Sequence, residues 1–99
     1  MADFRFEREC RTQFSEAYLI SVNEEQVGRV DLHFTSSIVY ATLCVNENMT
    51  SDDIQDLIDA IDEDLIMSAD VARDDFIVTV YQGREVGVFS DEEFEEEED

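Results

Sequence analysis

Residues 49–68, MTSDDIQDLIDAIDEDLIMS, decide how this chain folds. The apolar residues are Ile54, Leu57, Ile58, Ile61, Leu65 and Ile66, steps of three, one, three, four and one that form one stripe on a helix of period 3.6. Thr50 is placed to cap the free amides of the first turn. Asp53, three residues on, is placed to bond back as in a capping box, with Met49 stapled onto Ile54. The other face is acidic: Asp52, Asp53, Asp56, Asp59, Asp62, Glu63 and Asp64, with no Lys or Arg among them. Like charges three or four apart repel, and Asp is a mediocre helix former. The helix therefore depends on burying its stripe, and the flanking sequence must supply a sheet.

Immediately upstream, Ile38–Val45 (IVYATLCV) is apolar on both faces and reads as a central strand, with Cys44 a buried, inert thiol. Before it, Val30, Leu32 and Phe34 alternate with Arg29, Asp31 and His33, a half-buried strand. Gly28 marks a bulge or a close backbone approach. Tyr18, Ile20 and Val22 form another strand, joined to it through the polar turn Asn23–Gln26. Phe4 and Phe6, alternating with Arg5 and Glu7, begin a first strand that runs on to Cys10. Downstream, Val71–Arg73 forms a last short turn and Phe76–Tyr81 is rich in β-branched and aromatic residues. Gln82-Gly83 turns the chain, and Val86–Phe89 returns as a second hairpin.

These elements predict an α+β fold: an antiparallel sheet of five or six strands (meander, helix, hairpin) with one amphipathic helix packed on one face. Residues 1–89 form a single domain and 90–99 an acidic disordered tail in which only Phe94 is an anchor. The stripe is expected against Val30, Leu32, Phe34, Leu43, Val78 and Val80. One helix leaves the face bearing Ile38 and Tyr40 uncovered, and a homodimer through that face or through an exposed edge strand would close it.

Composition restricts partners more than it names them. Of 99 residues, 27 are acidic and 6 basic, all Arg, for a net charge of −21. Nucleic acid and anionic membrane are repelled, and basic partners are favoured. The same acidity suits a protein adapted to a salt-rich cytoplasm, with no partner needed. Cys10 and Cys44 form no metal or redox pair, there is no signal or membrane-spanning run, and the location expected is cytoplasmic.

No catalytic motif stands out. Three scattered glycines rule out a phosphate cradle, and nothing implies a cofactor. The acidic clusters, with Asp70, Asp74 and Asp75 beside the helix, have no calcium-loop spacing, and no metal is expected. His33 and Asp31 share a strand face, an arrangement met more often as a surface pair than as a base and its orienting carboxylate. Cys10 lies beside Arg8 and Arg11, which lower a thiol pKa, and Glu7 and Glu9, which oppose them. The function expected is a small acidic interaction module whose seven helix carboxylates meet a basic protein surface, as a nucleic-acid mimic does. The alternatives are an acidic fold adapted to high salt and a small hydrolase or transferase around His33.

With this much like charge, salt should stabilise the fold. The melting temperature should rise between ~10 mM and ~1 M NaCl as the Debye length falls from ~30 to ~3 Å. A flat or falling trend would show that the acids do not strain the native state.

Overall fold

The computed structural model describes residues 3–66 and 75–91. Five strands, β1 (Phe4–Arg11), β2 (Ser15–Val22), β3 (Glu25–Phe34), β4 (Ile38–Val45) and β5 (Asp75–Gln82), form one open sheet in sequence order. Helix α1 (Ser51–Ile61) and a π-helical turn (Asp62–Ile66) lie between β4 and β5. The α+β class stands, with a mostly antiparallel sheet and one continuous helix on one face.

The meander forms because its turns are local. Asn23 and Glu24 both adopt positive φ, 54° and 69°, so the β2–β3 hairpin closes through two left-handed residues without the usual Asn-Gly. Opposite it, the register passes from Ile20↔Gly28 to Ser21↔Gln26, leaving Val27 as the extra residue of a bulge. Gly28 is required there: a Cβ would collide with the Cys44 carbonyl oxygen. Both features expected of Gly28 are present.

Alternation along the strands sends Ile20, Val30, Leu32, Val39, Ala41, Leu43 and Val45 to one face, where Leu57, Ile61, Leu65 and Ile66 meet them. Phe34 and Val78 pack at the margin of this core, while Val80 stays exposed. The helix start follows its sequence. The Thr50 hydroxyl accepts from Asp53 N–H and the Asp53 carboxylate accepts from Thr50 N–H, each at 3.1 Å. At the other end the expected straight α-helix gives way to a π turn. In α geometry Ile66 would point about 140° away from Ile61, towards the acidic side. A turn with i→i+5 bonding is wider and swings Ile66 back towards Ile61, and both Leu65 and Ile66 are buried.

Two expectations at the C-terminal end are corrected. β5 pairs with β4 in parallel, from Ile38↔Asp75 to Val45↔Gln82. The helix carries the chain back to the start of β4, which is how parallel neighbours are joined. The returning strand Val86–Phe89 does not form: residues 84–90 are irregular, and Val86, Val88 and Phe89 are exposed. Among the described residues β5 is therefore an edge of the sheet. Its last residue is tied down, the Gln82 side-chain amide donating to the carbonyls of Asn46 (3.1 Å) and Met49 (2.8 Å). The turn at Val71–Arg73, Asp70, Asp74 and the tail from residue 92, with Phe94, lie outside the described residues.

Gly28→Ala should cost about 1–3 kcal/mol, since the new methyl meets backbone that cannot step aside. Gly83→Ala, where a Cβ meets nothing within 4 Å, should stay within about 0.5 kcal/mol. Urea melts of the two variants check this, and equal losses would rule out the close approach as the cause.

Candidate functional site

Three surfaces carry the residues singled out by the sequence. The first is the outer side of α1. Asp52, Asp56 and Asp59 are exposed, at spacings of four and three that align them on the side away from Leu57 and Ile61. Glu63 and Asp64 are exposed on the π turn. Asp53 is half-buried and engaged in the capping box, and Asp62 is half-buried. The seven carboxylates thus divide into five that face solvent and two drawn towards the body of the protein. The Gln55 side-chain amide lies 3.5 Å from Asp59 Oδ1. No basic residue occupies the last turn of α1.

The second surface is the sheet face that α1 leaves uncovered. Arg29, Asp31 and His33 of β3 point to it, beside Thr42, Tyr40 and Cys44 of β4. Asp31 is held by Arg29, Nη2 to Oδ1 at 3.1 Å, and the same guanidinium reaches Glu9 Oε1 at 3.3 Å. Glu9 is the extra residue where the β1 register shifts between Arg8 and Cys10, and the bulge turns its carboxylate across β2. Partial burial works against the Arg29 charge, but Asp31, Glu9 and Cys44 outweigh it and hold the guanidinium above its usual pKa. His33 is exposed, with Ser15 and Tyr40 as its cross-strand neighbours. Asp31, the carboxylate on the same strand face, is bonded to Arg29.

The third surface was not anticipated. A cavity of about 670 Å³ opens at the end of the sheet where β3 starts and β4 and β5 finish, walled on one side by Gly83, Arg84, Glu85, Gly87 and Val88. Arg29, Cys44, Tyr81, Arg84 and Glu85 contribute to its lining. The apolar run of β4 suggested that Cys44 was buried. In fact Leu43 and Val45 take the core face, and Cys44, between them, is half-buried on the opposite one. Strand alternation was the available signal, and the uniform hydrophobicity of IVYATLCV masked it. Cys10 is exposed, as expected.

Among the described residues no three of His, Cys, Asp or Glu converge to hold a metal ion, and no helix is long and apolar enough to cross a membrane. Compared with models of known families, with curated proteins and with solved structures, the chain matches none.

Since Cys44 lines an open cavity, a small alkylating reagent should modify both thiols in the native protein, Cys10 faster than Cys44. Mass spectrometry of timed samples reads the two rates. Modification of Cys44 only in denaturant would mean that the cavity wall closes over it.

Proposed function

We propose that the protein is a small acidic interaction module of the cytoplasm, with the outer side of α1 as the surface that meets a basic protein. A second copy of the chain is also among its partners. The observation that carries the docking role is the separation of the two helix faces. The apolar stripe is buried, so Asp52, Asp56, Asp59, Glu63 and Asp64 stand exposed on a held element. From Asp52 to Glu63 this gives a carboxylate about every 5 Å along the axis. One strand of duplex DNA carries a phosphate about every 3.4 Å. A basic surface built for nucleic acid would meet a comparable row of charge, while nucleic acid itself and anionic lipid are repelled.

A held row of charge raises association rates with an oppositely charged partner and loses that advantage in salt. The salt-adapted reading rests on the same composition, 27 acids against 6 arginines, but needs no partner. The two differ in what neutralising the helix does.

Changing Asp56→Asn, Asp59→Asn and Glu63→Gln together keeps the side-chain sizes and leaves the stripe intact. The fold should persist and gain a few tenths of a kcal/mol as repulsion along the helix falls. Partners retained by the wild-type chain at ~50 mM NaCl and released at ~500 mM should bind the variant at least ~10-fold more weakly, mostly through slower association. Equal retention of every partner by both proteins would refute the docking role and leave the salt-adapted reading.

A further inference from the structure

The two edges of the sheet differ in kind. On β1 five of the eight residues of FRFERECR are charged, and the strand carries a bulge. Charge and bulges are the usual guards against unwanted strand pairing. β5, DFIVTVYQ, has one charged residue, Asp75, at its first position, and pairs with β4 without interruption. Its side away from β4 has no strand partner among the described residues. Along it Ile77, Val80 and Tyr81 are 40%, 37% and 59% exposed. A chain with 33% charged residues thus leaves one flat, nearly uncharged edge.

We propose that β5 pairs antiparallel with β5 of a second copy about a two-fold axis through Thr79, joining two sheets into one of ten strands. This rests on the self-association included above, and not on the acidic helix. The sequence of β5 is self-complementary in this register. An axis perpendicular to the sheet keeps the core faces on the same side, so each residue meets one of its own face. Thr79 meets its own copy, Ile77 meets Tyr81 of the second copy, and Val78 meets Val80. Aromatic–β-branched and Thr–Thr pairs are among the favourable cross-strand combinations. Moving the axis one residue towards Asp75 sets that carboxylate against Tyr81. Moving it one residue the other way sets Val78 against Gln82 and Ile77 against Gly83.

Charge is consistent with the same register. The two copies of Asp75 lie at opposite ends of the seam, about 26 Å apart along the strands. That is well beyond the ~8 Å Debye length at physiological ionic strength. The open sheet face is the poorer seam, because Glu9, Arg29, Asp31 and His33 spread charged and polar groups across it. A strand edge also satisfies backbone groups and forms a closed, isologous pair. The remaining net charge of −21 per chain opposes association at long range, so salt should strengthen the pair. This is the opposite of its effect on an acid–base partner.

Sedimentation of the full chain at ~100 µM should give a species of twice 11.4 kDa, more populated at ~1 M than at ~0.1 M NaCl. Thr79→Asp sets two like charges face to face on the axis and should raise the dimer dissociation constant at least ~10-fold. Gln55→Glu adds the same charge on exposed α1 and should leave it unchanged. As a measurement independent of the stability of Thr79→Asp, Thr79→Cys in a Cys10→Ser background should form a disulfide-linked dimer under mild oxidation, faster than Gln55→Cys does. A monomer at ~100 µM in ~1 M NaCl overturns the proposal. So does a Thr79→Asp protein as dimeric as wild type, or equal cross-linking of the two cysteine variants. Failure here with salt-sensitive partner binding intact would leave the acidic module standing. A salt-strengthened dimer with no basic partner would leave only the seam.

Discussion

Everything in this fold depends on Leu57, Ile61, Leu65 and Ile66 being withdrawn from water against the β2–β4 face. Each fully buried side chain of this size contributes about 1.5–3 kcal/mol. An aspartate-rich helix has few other means of support. Its Thr50–Asp53 capping box fixes where it starts and contributes about 1 kcal/mol. Glu63 and Asp64 lie near the negative end of its dipole, where carboxylates are disfavoured. The π turn belongs to the same constraint. By bringing Leu65 and Ile66 inward together it extends the buried stripe where a regular helix would have rotated Ile66 into the acids.

Packing then determines where charge can go. With one helix face committed to the sheet, Asp52, Asp56 and Asp59 on the other face of α1 are exposed. The sheet treats its charges differently: Arg29 gathers Glu9 and Asp31 on the open face, three groups from two strands in one cluster. Guanidinium suits this role, because its planar fork serves two carboxylates at once where an ammonium acts as a single point charge. These pairs are substantially exposed, so their contribution to stability is small. Their clearer effect is chemical, since they occupy Asp31 and leave His33 without a carboxylate bonded to its ring.

Local rules explain what the sequence made legible. The capping box and the alternation of β3 are each set by residues near one another in the chain, and Gly28 marks its close approach to β4 by the missing side chain alone. The order of β1–β4 followed from period-2 patterning and short turns, although β2 and β3 begin earlier than that patterning indicates, at Ser15 and Glu25. What escaped was non-local. Whether Phe76–Tyr81 joins the sheet parallel or antiparallel depends on where a helix delivers the chain, and no pattern within the strand records it. Val86–Phe89 has strand composition, but strand propensity is largely a measure of packing, and no sheet face received it. The cavity beside Cys44 needs three strand ends and the segment after Gly83 to meet, a condition invisible until the topology is known. The outward direction of Asp52, Asp56 and Asp59, by contrast, follows from helical period alone.

The contrast between the edges of the sheet bears on how a chain of this charge keeps any contact specific. A net charge of −21 repels other copies and other acidic surfaces at a distance, which protects ordinary exposed strands without further measures. β1 nevertheless carries alternating charge and a bulge, a local guard in addition to the long-range one. β5 carries neither, and the omission is uniform along the strand after Asp75. Long-range repulsion is screened by salt, whereas backbone hydrogen bonds and apolar cross-strand pairs act at contact and are screened little. Such an edge is nearly silent at low ionic strength and adhesive at high ionic strength. An acidic helix face has the opposite response, strongest where screening is weakest. In the scheme proposed above the two surfaces lie on one chain, so ionic strength alone would shift the balance between a basic partner and a second copy.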